Sequence, residues 1–127
     1  MQPPTDPRRA TGQQGEAIAA HFLEQHGYHI VTRNWRSNRG ELDLVAIDGP
    51  TLVIVEVRTR RGAALGSAEE SVTRTKQQRL ARLAQHYLAT ADAGQPWHGP
   101  WRIDVIAIHL DRHNLATVNH IVSAVEE

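Results

Sequence analysis

Arg39-Gly40-Glu41-Leu42-Asp43-Leu44-Val45-Ala46-Ile47-Asp48-Gly49-Pro50-Thr51-Leu52-Val53-Ile54-Val55-Glu56-Val57-Arg58 sets acidic side chains inside two strongly apolar, strand-like runs. A carboxylate there is costly unless something compensates it. Asp48-Gly49-Pro50-Thr51 is a turn signal between the runs, so they read as a hairpin. Folding the chain about Gly49 and Pro50 sets position 43 across from 56 and position 41 across from 58. Side chains alternate along a strand, which predicts that Glu41, Asp43, Glu56 and Arg58 share one face. Opposed Cβ atoms lie roughly 4.5 to 5.5 Å apart, and like charges placed there repel. Asp43 facing Glu56 therefore calls for a cation or a proton. Two carboxylates with the nearby backbone carbonyl of Val57 form an all-oxygen site that suits Mg²⁺ or Mn²⁺, and phosphodiester hydrolysis is the natural use of such a site. The alternative from the same residues is an inert sheet face, with Glu41 and Arg58 as an ordinary cross-strand ion pair and Asp43 and Glu56 relaxing into water. A register slip of one residue would also disperse the set.

Outward from the hairpin, Gln13 to His26 reads as a helix, with Ala17, Ile18, Ala20, Phe22 and Leu23 as its apolar stripe and Gly27 as its C-terminal stop. Tyr28 to Trp35 reads as a strand, followed by strands over Glu41 to Ile47 and Leu52 to Thr59. Ser71 to Ala91 carries Val72, Leu80, Leu83, Ala84, Tyr87 and Leu88 at helical spacing. Pro96, Gly99 and Pro100 then break the chain before a buried strand at Arg102 to Ile108, and Ala116 to Val122 is expected as an edge strand.

That order, helix-strand-strand-strand-helix-strand, resembles the core of the PD-(D/E)xK nuclease superfamily. Gly40-Glu41-Leu42-Asp43 matches the aspartate strand and Glu56-Val57-Arg58 occupies the (D/E)xK position. More narrowly, Gly15-Glu16, Arg39-Gly40-Glu41-Leu42-Asp43-Leu44, Val55-Glu56-Val57-Arg58-Thr59-Arg60 and the helix containing Lys76 resemble the uncharacterised bacterial YraN family, similar in fold to archaeal Holliday-junction resolvases. The resemblance covers Gly12 to about Ile121. It implies an α/β, restriction-endonuclease-like core: a mixed central sheet flanked by helices. It also implies a metal-dependent endonuclease acting on DNA, branched or otherwise structured, with Glu16, Asp43 and Glu56 as acidic site residues and Glu41 as a flanking carboxylate. Related resolvases work as dimers, so a homodimer is the implied assembly. Glu16 has a plainer explanation too, since the helix dipole favours an acid in a first turn.

The chain departs from the superfamily pattern at Arg58, where lysine is usual. Arginine keeps its charge, so it cannot serve as a general base, yet it can hold a phosphate and stabilise charge on a transferring phosphoryl group. Lys76, the single lysine, projects from its helix between Leu83 and Tyr87, while Arg74, Arg79 and Arg82 fan across the outer arc. It either leans toward the carboxylates or lays its stem on apolar surface with the ammonium in water. Arg33, Arg36 and Arg39 gather near the first turn, and Arg58, Arg60 and Arg61 leave the third strand together. Arg39, Arg58, Arg60 and Lys76 are the candidate nucleic-acid contacts, holding backbone without reading sequence. If catalysis is lost, a nucleic-acid-binding or interaction module remains, or a structural part of a complex.

Composition bounds these readings. At 127 residues the chain fits one domain, expected over residues 12–122, between a disordered arm at 1–11 and a loose tail at 123–127. Fourteen basic residues balance fourteen acidic ones, which argues against nonspecific coating of nucleic acid. Without cysteine, a spanning apolar segment or a signal-peptide pattern, a soluble cytoplasmic protein is expected. His109 and His113 do not sit on a continuous helix, and no HExxH pattern occurs, so zinc is disfavoured. Trp97 and Trp101 bracket a Pro/Gly loop and either stack on exposed bases or pack that loop onto the sheet.

Overall fold

The computed structural model describes residues 7–62, 72–91 and 94–125. Gly49 takes a positive φ of +59° at the tip of the hairpin, a conformation that costs glycine little. It joins β2 (Gly40–Asp48) to β3 (Thr51–Arg61), with Asp48 opposite Thr51, Val45 opposite Ile54 and Leu44 opposite Val55. This is the register the turn predicts, and it holds as far as Leu44 and Val55. On the outer side of β2 lies β1 (His29–Ser37), also antiparallel.

From β3 the chain passes through α2 (Arg74–Leu88) to β4 (Trp101–Leu110), which pairs with β3 in parallel from Leu52↔Trp101 to Arg61↔Leu110. A parallel neighbour demands such a crossover. Antiparallel β5 (Ala116–Ile121) closes the order β1-β2-β3-β4-β5, an open mixed sheet. The N-terminal helix, α1 (Pro7–Gln25), covers one face, where Ala19, Ala20 and Leu23 meet Leu44, Val55 and Ile106. α2 covers the other, where Leu80, Leu83 and Leu88 meet Leu42, Ile54 and Ile103. Burying each of these branched side chains contributes about 1.5 to 3 kcal/mol, and the strands read as continuous apolar runs because both faces are covered. The α/β fold is consistent with a restriction-endonuclease-like core.

Element bounds differ from the sequence reading mainly at helix ends. α1 begins at Pro7 rather than Gln13, since proline is well accommodated at the first helical position. The arm expected over residues 1–11 thus overlaps the helix at 7–11, and residues 1–6 lie outside those described. α2 starts after Thr73, whose hydroxyl accepts the Lys76 N–H at 3.3 Å; Ser71, expected to open it, lies outside the described residues. The expected tail is held as far as Val125, which is buried against the α2 face, and the Ala124 N–H donates to the Ile103 carbonyl at 2.9 Å. Trp97 and Trp101 pack against the same core, and the Trp97 indole donates to the Pro100 carbonyl. Their loop therefore seals the sheet. No helix among the described residues is long and apolar enough to cross a membrane.

One wholly buried charge pins the far side of the sheet. Asp104 accepts Arg102 Nε at 3.0 Å, His120 Nε2 at 2.8 Å and the Ser123 N–H at 2.9 Å. Arg102 in turn reaches the Tyr28 hydroxyl at 2.8 Å and Asp48 at 3.4 Å. Asp104→Ala would strip acceptors from three donors at once and is expected to cost about 3 kcal/mol. Urea denaturation measures it; a loss within about 0.5 kcal/mol, the ordinary surface level, would contradict the role assigned to this knot.

Candidate metal centre

Helix α1 reaches the sheet closely because Gly15 has no side chain: a Cβ there would collide with the Thr59 hydroxyl on β3. That hydroxyl is itself buried without a hydrogen-bond partner among the described residues. The close approach carries the next residue, Glu16, to the edge of the hairpin.

The strands beneath it are irregular. Asn34 in β1 sits in the left-handed region at φ +54°, between the pairs Arg33↔Leu44 and Trp35↔Leu42. Alternation is broken here: Leu42 packs with α2, as Val45 does, whereas Leu44 packs with α1. Beyond Leu44↔Val55 the β2–β3 ladder stops. In its place the Asp43 carboxylate accepts the Val57 N–H at 2.9 Å. A side chain has taken the position of a backbone carbonyl, and the hairpin parts around it.

Into this parting come Glu16, Glu41 and Asp43, whose carboxylate oxygens lie within 4.8 Å of one another. Among the described residues this is the group able to hold a metal ion. The Asn34 amide bridges two of them, with its nitrogen turned to donate to Glu16 Oε2 at 2.9 Å and Glu41 Oε1 at 3.0 Å. Asn34 was missed in the sequence; its one signal is a polar residue, tolerant of positive φ, within an otherwise strand-like run. Glu41, expected to flank the site opposite Arg58, lies within the carboxylate group and pairs instead with Arg36 at 3.3 Å.

Glu56 approaches from β3 and is hydrogen-bonded to Asp43. Arg58, which stands at the usual lysine position, lies 3.6 Å from Glu56. Together with Glu41, Lys76 and Arg79 they line a cleft of about 30 Å³, enough for water or a small ion. Lys76, exposed in the first turn of α2, lines the same cleft as Glu41 and Glu56. Val57, expected to offer its carbonyl, orients Asp43 through its N–H. The remaining arginines disperse: Arg39 lines a neighbouring groove with Arg79 and Arg82. Arg60 lies with Pro7, Arg8 and Thr59 near the start of α1, and Arg61 is tied to Gln14 and Asn114 at 2.7 Å each. His109 and His113 do not converge, His109 lying 2.6 Å from the Gly62 carbonyl.

Crowded acids hold protons. Burial pushes the Glu56 carboxyl up to about 8, aided by the Asp43 charge and opposed by Arg58. Asp43 is also raised, chiefly by burial, against the stabilising Val57 N–H. Glu16 is raised by burial, then by the charges of Asp43 and Glu41. At neutral pH Glu56 carries the proton it shares with Asp43. A divalent cation would relieve the same repulsion, and the all-oxygen donor set suits Mg²⁺ or Mn²⁺.

Residues 15–108 match the family model described as uncharacterised protein family UPF0102. The chain is similar to a UPF0102 protein of Herpetosiphon aurantiacus, 56% identical over 108 residues, covering 84% of this chain and 87% of that one. A Roseiflexus castenholzii UPF0102 protein is 47% identical over 124 residues, covering 97% and 98%. One from Nocardia farcinica is 44% identical over 117 residues, covering 90% and 87%.

Because the folded carboxyls bind protons more tightly than the unfolded chain, stability in chelator is greatest below the unfolded value near 4.5 and falls as pH rises through about 8. Glu56→Gln keeps a donor for Asp43 and removes the titration. It is expected to flatten this slope and to stabilise the metal-free protein near pH 9 by on the order of 3 kcal/mol. Thermal denaturation from pH 5 to 9 decides; parallel curves for the two proteins would refute the shared proton.

Proposed function

The chain belongs to the uncharacterised protein family UPF0102, and we propose that it is a metal-dependent endonuclease that hydrolyses DNA phosphodiesters, with branched or otherwise structured DNA as the favoured substrate. The observation that carries this reading is the convergence of Glu16, Glu41 and Asp43 within 4.8 Å beside a cleft edged by cations.

In this reading Glu16, Glu41 and Asp43 hold Mg²⁺ or Mn²⁺, and Glu56, on losing its proton, extends the set together with the Val57 carbonyl. Bound there, Mg²⁺ or Mn²⁺ would supply Lewis-acid charge for phosphodiester hydrolysis. Val57 N–H fixes the Asp43 carboxylate, and the Asn34 amide fixes Glu16 and Glu41. Arg58, permanently charged, holds the scissile phosphate and stabilises the charge that builds on it. Lys76 adds a second cation on the α2 side. Arg39 and Arg60 are proposed to hold flanking backbone. The same reading places the protein in the cytoplasm, acting as a homodimer on a symmetric junction.

A second reading is favoured by one contact. Arg58 lies 3.6 Å from Glu56 where a lysine is usual, which fits a nucleic-acid-binding module that keeps the nuclease fold and has lost catalysis. Calorimetric titration with Mn²⁺ is expected to give millimolar or tighter binding that Asp43→Ala abolishes; an unchanged isotherm in that variant would remove the metal site. Cleavage of single-stranded, flapped and four-way DNA, with Mg²⁺ and with Mn²⁺, then separates the readings. Cutting by the natural protein supports the enzyme, and cutting that starts only in Arg58→Lys supports the inactive module.

A further inference from the structure

We infer that the groove between the β1–β2 turn and α2 is the binding site for the sugar-phosphate backbone of a DNA duplex arm leading into the carboxylate cleft, a placement that rests on the nuclease reading above.

Charge on α2 is segregated to a degree the whole chain hides. The chain balances fourteen basic against fourteen acidic residues, yet α2 carries Arg74, Lys76, Arg79 and Arg82 and not one Asp or Glu. A solvated helix gains from opposite charges three or four residues apart; here Arg79 and Arg82 repel across that spacing. Arg74 and Lys76 stand in the first turn, where the helix dipole disfavours cations. Both costs vanish when an anion binds.

The tertiary structure adds a third guanidinium to the pair. Gly40 lies tightly against α2, where a Cβ would fall 3.0 Å from Leu83 Cδ1, and its φ is +144°. The turn is thereby pinned to the helix, and Arg39 joins Arg79, Arg82 and Leu83 around a groove of about 360 Å³. Among the described residues no carboxylate lines it, and none of these three guanidinia has an ion-pair partner there. By contrast Arg36, Arg61 and Arg102 are each engaged by protein groups. Arg79 and Leu83 also line the cleft that holds Glu41, Glu56 and Arg58, so groove and cleft adjoin.

Planar guanidinia match phosphate oxygens through paired hydrogen bonds. Among the described residues no aromatic side chain lines the groove. Single strands are usually gripped by stacking their bases on aromatic rings; a site of guanidinia alone holds backbone and leaves the bases paired. A duplex arm is therefore the occupant.

Fluorescence anisotropy with a labelled duplex of about 20 base pairs, and with its single strand, tests this without divalent metal. The triple variant R39Q/R79Q/R82Q is expected to lose about 30-fold in duplex affinity near 50 mM salt and to lower the salt slope by about 2.7, roughly 0.9 for each phosphate released. R112Q, exposed in the β4–β5 turn, serves as the single-charge control and is expected to stay within about twofold. Freed of repulsion, the triple variant should melt no lower than the natural protein, which separates lost binding from lost folding. A triple variant that binds like R112Q, a single strand preferred over the duplex, or a natural protein that binds neither overturns the groove. Cleavage by the natural protein with KM unchanged in the triple variant would overturn the groove and leave the nuclease reading intact. Groove-dependent binding by a protein that never cuts would do the reverse.

Discussion

Mutual repulsion among Glu16, Glu41, Asp43 and Glu56 is the constraint around which the rest of the structure is arranged. Carboxyl groups are brought to one end of a hairpin that is otherwise apolar, and burial makes the ionisation of Glu16, Asp43 and Glu56 unfavourable. A protein can tolerate such a site only if its position is fixed by interactions elsewhere, because the acids themselves drive it apart. Val57 N–H, the Asn34 amide and a shared proton offset part of that repulsion. The acids Glu16, Glu41 and Asp43 that remain close together are a group able to hold a metal ion.

The fixing is done by packing on both sides of the sheet. α1 is seated through Gly15 on Thr59 and through Leu23 in its core, and α2 through Leu80 and Leu83. These contacts hold the middle of α1 and the first half of α2 over the open end of the hairpin. The Asp104 knot ties β4 to the end of β5 and to the α1–β1 turn, so that the C-terminal segment completes the α2-side core instead of trailing in solvent.

Charge of the opposite sign is sorted by the same framework. Arginines adjacent in sequence end in different places: Arg36 on Glu41, Arg39 beside α2, Arg61 holding the start of α1 to the β4–β5 turn. Neutrality of the whole chain thus conceals an acidic centre and a basic helix side by side.

Much of this was legible in the residues. The apolar runs around Asp48-Gly49-Pro50-Thr51 determine a hairpin, its register as far as Leu44 and Val55, and the order of helices and strands, because period and turn chemistry are local properties. The same locality places Asp43 near Glu56. What alternation could not reveal is the break at Asn34 and Asp43, where one left-handed residue and one side-chain hydrogen bond turn Leu42 and Leu44 to opposite faces and bring Glu41 into the centre. Nor could spacing along the chain say that Gly15 would deliver Glu16, that Lys76 would line the cleft with Glu41 and Glu56, or that Arg39 would share a groove with Arg79 and Arg82. Those juxtapositions join segments distant in sequence, and they follow from how closely a glycine lets backbone approach a neighbouring element, which is decided only when the layers pack.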